Sequence, residues 1–140
     1  MDEKHAEFSI ARPVSDADAL RLHPMSLAFI GDAVQSLYVR TYVTLGSDSK
    51  TGALHKTVTK SVSAVAQAGI AETVLPLFDE READIFRRAR NCHIQTSAKH
   101  AERAEYRRAS GLEAVIGYLY ITGKTERLQT ILDKTTEGLQ

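Results

Sequence analysis

Apolar residues recur along this chain at helical spacing, and no segment shows convincing two-residue alternation or a paired hairpin turn. Ile30, Val34, Leu37 and Thr41 keep a 3.6-residue rhythm, which predicts a buried or half-buried helix. His23-Pro24 opens it, with the proline tolerated in the first turn, and Gly46 stops it after Leu45. Tyr38 and Tyr42, four apart, are expected to pack on neighbouring helices. Ser47-Asp48-Ser49 then offers caps for a helix from Thr51 to about Ala71, with Val58, Val62, Val65 and Gly69 on one stripe. Its valines would also suit a strand, but its length and alanines favour helix. After a turn near Pro76, Asp79-Glu80-Arg81-Glu82 has the form of a capping box, and Arg87, Arg88 and Arg90 complement the dipole at the far end. Residues 91–103 are irregular. A helix bearing Glu113 begins between Glu102 and Tyr106 and ends at Gly123; the last runs from Thr125, as cap, to about Thr135, with Leu128, Ile131 and Leu132 inward. The expectation is an all-α domain of about six to seven helices over residues 20–136. A loose arm with one turn of helix (1–19) precedes it, and a frayed tail (137–140) follows.

Composition narrows the class. With 140 residues, 43% hydrophobic and 26% charged, the chain reads as one globular domain with its own core. The lone Cys92 excludes an internal disulfide and a cysteine-based zinc site, and suits a reducing cytoplasm. No apolar run approaches the ~20 residues that span a bilayer, and Met1-Asp2-Glu3-Lys4-His5 lacks the apolar stretch of a signal peptide. A cytoplasmic protein with no membrane contact is expected. Its formal net charge of zero hides a gradient. Arg87, Arg88, Arg90, Lys99, Arg103, Arg107 and Arg108 crowd residues 85–110 against Glu102 and Glu105, while the first twenty residues lean acidic. Nucleic-acid binding follows local basic surface, so neutrality does not exclude it.

The candidate chemistry sits in two apolar runs. Leu27-Ala28-Phe29-Ile30-Gly31-Asp32-Ala33-Val34 carries a carboxylate that is costly to bury unless paired, hydrogen-bonded or metal-bound. Beside it, Gly31 costs ~1 kcal/mol of helix stability relative to Ala. Leu112-Glu113-Ala114-Val115-Ile116-Gly117-Tyr118-Leu119 repeats the composition, and Glu113 and Gly117, four apart, share a helix face. Helices crossing with their glycines in contact would bring Asp32 and Glu113 together. Two carboxylates at close range repel, and a divalent cation such as Mg²⁺ relieves them. The other reading of the residues is a structural acidic pair satisfied by an arginine or by backbone and hydroxyl donors. No histidine pair has metal-ligand spacing, no serine sits in a nucleophile elbow, Cys92 has no adjacent base, and no glycine-rich phosphate loop exists.

The Phe29-Ile30-Gly31-Asp32-Ala33 core and the Leu112–Leu119 run resemble the two catalytic signatures of the ribonuclease III family. The likeness is closest to its minimal branch, Mini-ribonuclease III, which has a nuclease domain and no double-stranded RNA-binding domain. Leu54-His55-Lys56, Val62-Ser63-Ala64-Val65-Ala66-Gln67-Ala68 and Arg88-Ala89-Arg90-Asn91 resemble that branch in the same order, so the likeness spans roughly residues 20–135. Met25, Ala28 and Ser110 stand where larger members of the family carry acids; Ala89 replaces a glycine, and residues 96–100 lack the branch's proline and asparagine. The resemblance implies a ribonuclease III-like fold and an endoribonuclease hydrolysing double-stranded RNA with Mg²⁺, for which Mn²⁺ can substitute. Asp32 is then the central metal ligand and catalytic residue, with Glu113 beside it. It further implies maturation of the ends of precursor 23S ribosomal RNA, the assembling large ribosomal subunit as a partner, and a two-fold homodimer with Phe29 as an aromatic knob and Met25 beside it. His55, Lys56, Lys60, Arg87, Arg88, Arg90, Asn91, Lys99 and Arg107 are the expected RNA contacts. The alternative is a non-catalytic helical RNA-binding or ribosome-assembly protein with a structural acidic pair.

Overall fold

The longest apolar run after residue 100 lies in a helix with no polar face over its second half: Leu112, Ala114, Val115 and Ile116 are fully buried, and Tyr118 and Leu119 are 1% exposed. Such a helix must be wrapped on all sides. The computed structural model describes residues 9–46, 64–92 and 100–137 and wraps it with four helices. In chain order the α-helices are α1 (Asp16–Leu20), α2 (Pro24–Leu45), α3 (Ala64–Val74), α4 (Glu80–Arg90), the central α5 (His100–Ile121) and α6 (Thr125–Thr135); a single 3₁₀ turn, Leu75–Leu77, joins α3 to α4. α2, α3, α4 and α6 all pack on α5. There is no strand among the described residues, so the domain is all-α as its patterning predicts. The caps expected at Ser47-Asp48-Ser49, and most of the helix expected from Thr51, lie outside the described residues.

The α2–α5 crossing is the tightest joint. A Cβ on Gly31 would overlap the Glu113 carbonyl oxygen and lie 2.6 Å from its carbonyl carbon and 2.8 Å from the Gly117 nitrogen. A Cβ on Gly117 would overlap the Leu27 carbonyl oxygen and lie 3.0 Å from the Gly31 nitrogen. Backbone therefore meets backbone, and only glycine fits on either side. Gly111 makes a second close approach, to the Phe86 ring of α4, where a Cβ would lie 2.7 Å from Cδ2.

α2 is rotated relative to the expected stripe. Leu27, Ala28, Gly31, Val34, Gln35, Tyr38, Val39 and Val43 are buried, whereas Ile30 is half-buried, Leu37 is 54% exposed and Phe29 81% exposed. The glycine contact sets this rotation: facing Gly31 toward α5 turns Phe29, Ala33 and Leu37 outward. On α3, Gln67, Ala68, Ala71 and Val74 face inward and Gly69 is exposed rather than on an inward stripe; Val58 and Val62 and the side chain of Val65, the rest of that expected stripe, lie outside what is described.

The remaining joints are polar. The capping box of α4 forms as expected: the Glu82 N–H donates to Asp79 Oδ1 at 2.8 Å and the Asp79 N–H to Glu82 Oε1 at 3.0 Å. Glu82 is buried, and Arg127 of α6 grips both its oxygens, Nη2 on Oε1 at 2.7 Å and Nε on Oε2 at 2.8 Å, while also donating to the Leu77 carbonyl. The Tyr38 hydroxyl donates to Asp133 Oδ1 at 2.5 Å, tying α2 to α6. Gly123, at φ 70°, reverses the chain after α5, so Lys124 rather than Thr125 occupies the N-cap of α6, without a side-chain bond. Before α1, the Val14 N–H donates to the Ile121 carbonyl at 2.7 Å, and Asp16 pairs with Lys124 at 2.5 Å and Arg81 at 3.1 Å.

Gly31→Ala tests the joint. Overpacking a well-packed contact costs ~1–3 kcal/mol; with backbone as the obstacle, the loss should reach the top of that range in urea denaturation. A change within ~0.5 kcal/mol, as at an ordinary surface position, would show that the helices can part without penalty.

Candidate active site

The glycine crossing decides where the two carboxylates lie. Asp32 follows Gly31 directly, and Glu113 is the residue whose carbonyl faces Gly31, so both leave their helices beside the joint. They share a cleft of ≈360 Å³ lined by Met25, Ala28, Phe29, Asp32, Gln67, Tyr106, Ala109, Ser110 and Glu113. Asp32 is exposed and Glu113 half-buried, so the burial cost expected for Asp32 falls on Glu113. The cause is depth: Asp32 is turned to the mouth of the cleft and Glu113 lies against its wall. Burial, then a hydrogen bond to Asp32, then the charge of Asp32 push the Glu113 carboxyl from 4.5 up to about 9. Among the described residues no lysine or arginine lines the cleft to offset that charge.

This donor set suits a divalent cation. Two carboxylates on facing helices supply negative oxygens, and the open cleft leaves room for water and phosphate oxygens to complete a hexacoordinate shell. Bringing a cation there would displace the proton that Glu113 holds against Asp32. Among the described residues no third His, Cys, Asp or Glu joins the pair. The other polar groups of the lining are Gln67 and Ser110, each 2% exposed, and Tyr106. Sequence reasoning assigned no role to Gln67 or Tyr106. Tyr106, Ser110 and Glu113 do follow helical spacing and share one face of α5, a signal visible in the sequence.

The opposite flank of α2 carries an apolar groove of ≈550 Å³ lined by Ser9, Phe29, Ile30, Asp32, Ala33, Val34, Leu37 and Tyr120. Phe29 and Asp32 border both openings. Met25 lines only the cleft and packs against the core.

None of the described basic residues expected to touch RNA, Arg87, Arg88, Arg90 and Arg107, lines the cleft. Arg87 pairs with Asp84 at 2.5 Å, and Arg90 donates to Asn91 Oδ1 at 3.2 Å and lies 6.0 Å from the centre of the Phe86 ring. Arg88 is exposed and Arg107 half-buried, neither ion-paired among the described residues. His55, Lys56, Lys60 and Lys99 lie outside the described residues.

Residues 25–124 match the Ribonuclease III domain. A Mini-ribonuclease 3 from Thermoanaerobacter sp. is 44% identical over 86% of this chain and 85% of its own length. One from Staphylococcus aureus is 44% identical over 81% of this chain and 86% of its own. The crystal structure of a Fusobacterium nucleatum protein superposes with a TM-score of 0.79 at 31% identity, covering 91% of this chain and 100% of that one.

The raised Glu113 carboxyl gives a pH signature in metal-free protein. Between about 4.5 and about 9 the folded state keeps a proton that the unfolded state has lost, so stability falls as pH rises through that window. Urea denaturation in EDTA at several pH values should show this slope, and Glu113→Gln should flatten it. An unchanged slope in the variant would place the titration elsewhere.

Proposed function

Because the chain belongs to the ribonuclease III family, in its Mini-ribonuclease III branch, we propose that it is a metal-dependent endoribonuclease that hydrolyses double-stranded RNA in the cytoplasm. The observation that carries this reading is the convergence of Asp32 and Glu113 in one open cleft, held by a backbone contact and without a lysine or arginine in its lining among the described residues. Mg²⁺, or Mn²⁺ in its place, would supply an acidified water and neutralise charge on the phosphate. Asp32, exposed at the cleft, and Glu113, half-buried behind it, would be the two carboxylate ligands, and Glu113 would bind the ion in its deprotonated form. The glycine joint fixes the separation between the two helix backbones, so neither carboxylate needs a helix movement to reach the ion.

The cleft takes a phosphate and its surroundings rather than a duplex, so recognition must come from a wider surface. Two copies supply it. Phe29, 81% exposed, and the apolar groove beside it lie on the same flank of α2, which makes that flank self-complementary as a two-fold interface requires. Arg88 and Arg107, free of ion pairs among the described residues, suit phosphate contacts at a distance from the cut. The substrate is precursor 23S ribosomal RNA, trimmed at its ends, with the assembling large subunit as the setting.

Mg²⁺-dependent cutting of a long duplex RNA is the direct test. EDTA should abolish it, and Asp32→Asn, which keeps the shape and removes the charge, should do the same without unfolding the protein. Binding without cutting in the wild type would favour the non-catalytic RNA-binding reading. Phe29→Ala should leave the folded monomer within ~0.5 kcal/mol, since the ring is exposed. It should weaken the dimer by roughly 30-fold or more, the scale of an aromatic hot spot. Urea denaturation of the monomer reads the first and light scattering across a dilution series the second; a wild type that stays monomeric and still cuts both strands would refute the dimer.

A further inference from the structure

We infer that Tyr106 reads the ribose 2′-hydroxyl next to the cut phosphate and so gives the cleft its preference for RNA over DNA; this rests on the nuclease reading above. Tyr106 stands two turns before Glu113 on the same face of α5, and its side chain lines the cleft with Met25 and Phe29. It is 44% exposed, whereas Gln67 and Ser110, the other uncharged polar groups of the lining, are 2% exposed. Among the described residues no hydrogen bond occupies its hydroxyl.

A duplex lying over the cleft brings one phosphate toward Asp32 and Glu113 and leaves the flanking sugars at the rim. Two rim side chains, Met25 and Phe29, offer no strong hydrogen bond, and Asp32 is committed to the cation. Among the described residues, Tyr106 is therefore the group at this rim that can meet a sugar hydroxyl. An arginine or lysine there would grip phosphates and tell nothing about the sugar. A phenol both donates and accepts, as the 2′-hydroxyl does, and the wide, shallow minor groove of an A-form duplex displays that hydroxyl to the surface. Reading it with a neutral group also avoids placing a second cation against the acidic floor.

The experiment is a cycle of two changes. Cleavage rates are measured for wild type and Tyr106→Phe on an all-RNA duplex. The same is done for duplexes carrying one 2′-deoxy nucleotide, placed in turn at each position flanking the cut. Tyr106→Phe removes only the hydroxyl of an exposed ring, and its thermal unfolding should match wild type. One hydrogen bond is worth roughly 3- to 10-fold in kcat/KM. The variant should lose that factor on all-RNA duplex, one 2′-deoxy position should cost wild type the same factor, and that position should cost the variant nothing more. Losses that multiply at every position, or a variant as active as wild type, would overturn the inference. A wild type that cuts no duplex at all would sink the nuclease reading, and this inference with it.

Discussion

Everything distinctive in this domain depends on one contact without side chains, the meeting of the α2 and α5 backbones at Gly31 and Gly117. Each glycine costs helix stability where it stands, and each is required because a methyl group on either would overlap the opposite backbone. The contact sets the rotation of α2, which in turn decides that Asp32 faces the cleft and that Phe29, Ala33 and Leu37 face outward. It also lets the second half of α5 stay almost wholly apolar, Glu113 excepted, since the nearest helix approaches closely enough to seal it. Side-chain packing elsewhere supports this arrangement. Phe86 lies on Gly111, and the buried Glu82 is held by Arg127 and its own capping box.

Much of this was readable in the residues. A glycine next to a carboxylate in one apolar run, and a carboxylate four before a glycine in another, are poor choices for isolated helices. Their shared explanation, a close crossing that gathers the acids, is what the structure contains. The capping box at Asp79 and the inward Leu128, Ile131 and Leu132 were legible for simpler reasons of local chemistry and spacing. Periodicity misled at α2, because an apolar side chain left exposed looks the same in sequence as one buried in the core. Leu37, placed on the buried stripe by its spacing, is such a residue. The burden of burial was assigned to Asp32 for a related reason: composition identifies which acids meet, and only the crossing geometry says which lies deeper. Thr125 has the chemistry of a cap, but the turn through Gly123 hands that position to Lys124.

The site also shows how little a short chain needs to commit to a charged centre. Asp32 and Glu113 repel when both are ionised, and a proton on Glu113, hydrogen-bonded to Asp32, relieves that repulsion. Gln67 and Ser110 keep the wall polar without adding charge. Burial and the neighbouring Asp32 make ionising Glu113 costly, and a positive charge brought beside the pair would lower that cost.

One peripheral feature bears on any solution study of this protein. Asp16 joins α1 to Arg81 and to Lys124 through pairs whose side chains are between about a third and a half exposed. Added salt weakens such pairs, with a screening length of ≈8 Å at 0.15 M, whereas the glycine crossing carries no charge to screen. Ionic strength therefore acts on the N-terminal attachment and leaves the α2–α5 joint alone. A salt series used to count phosphate contacts also loosens α1, so its slope is cleanly assigned only against the same series run on the protein without RNA.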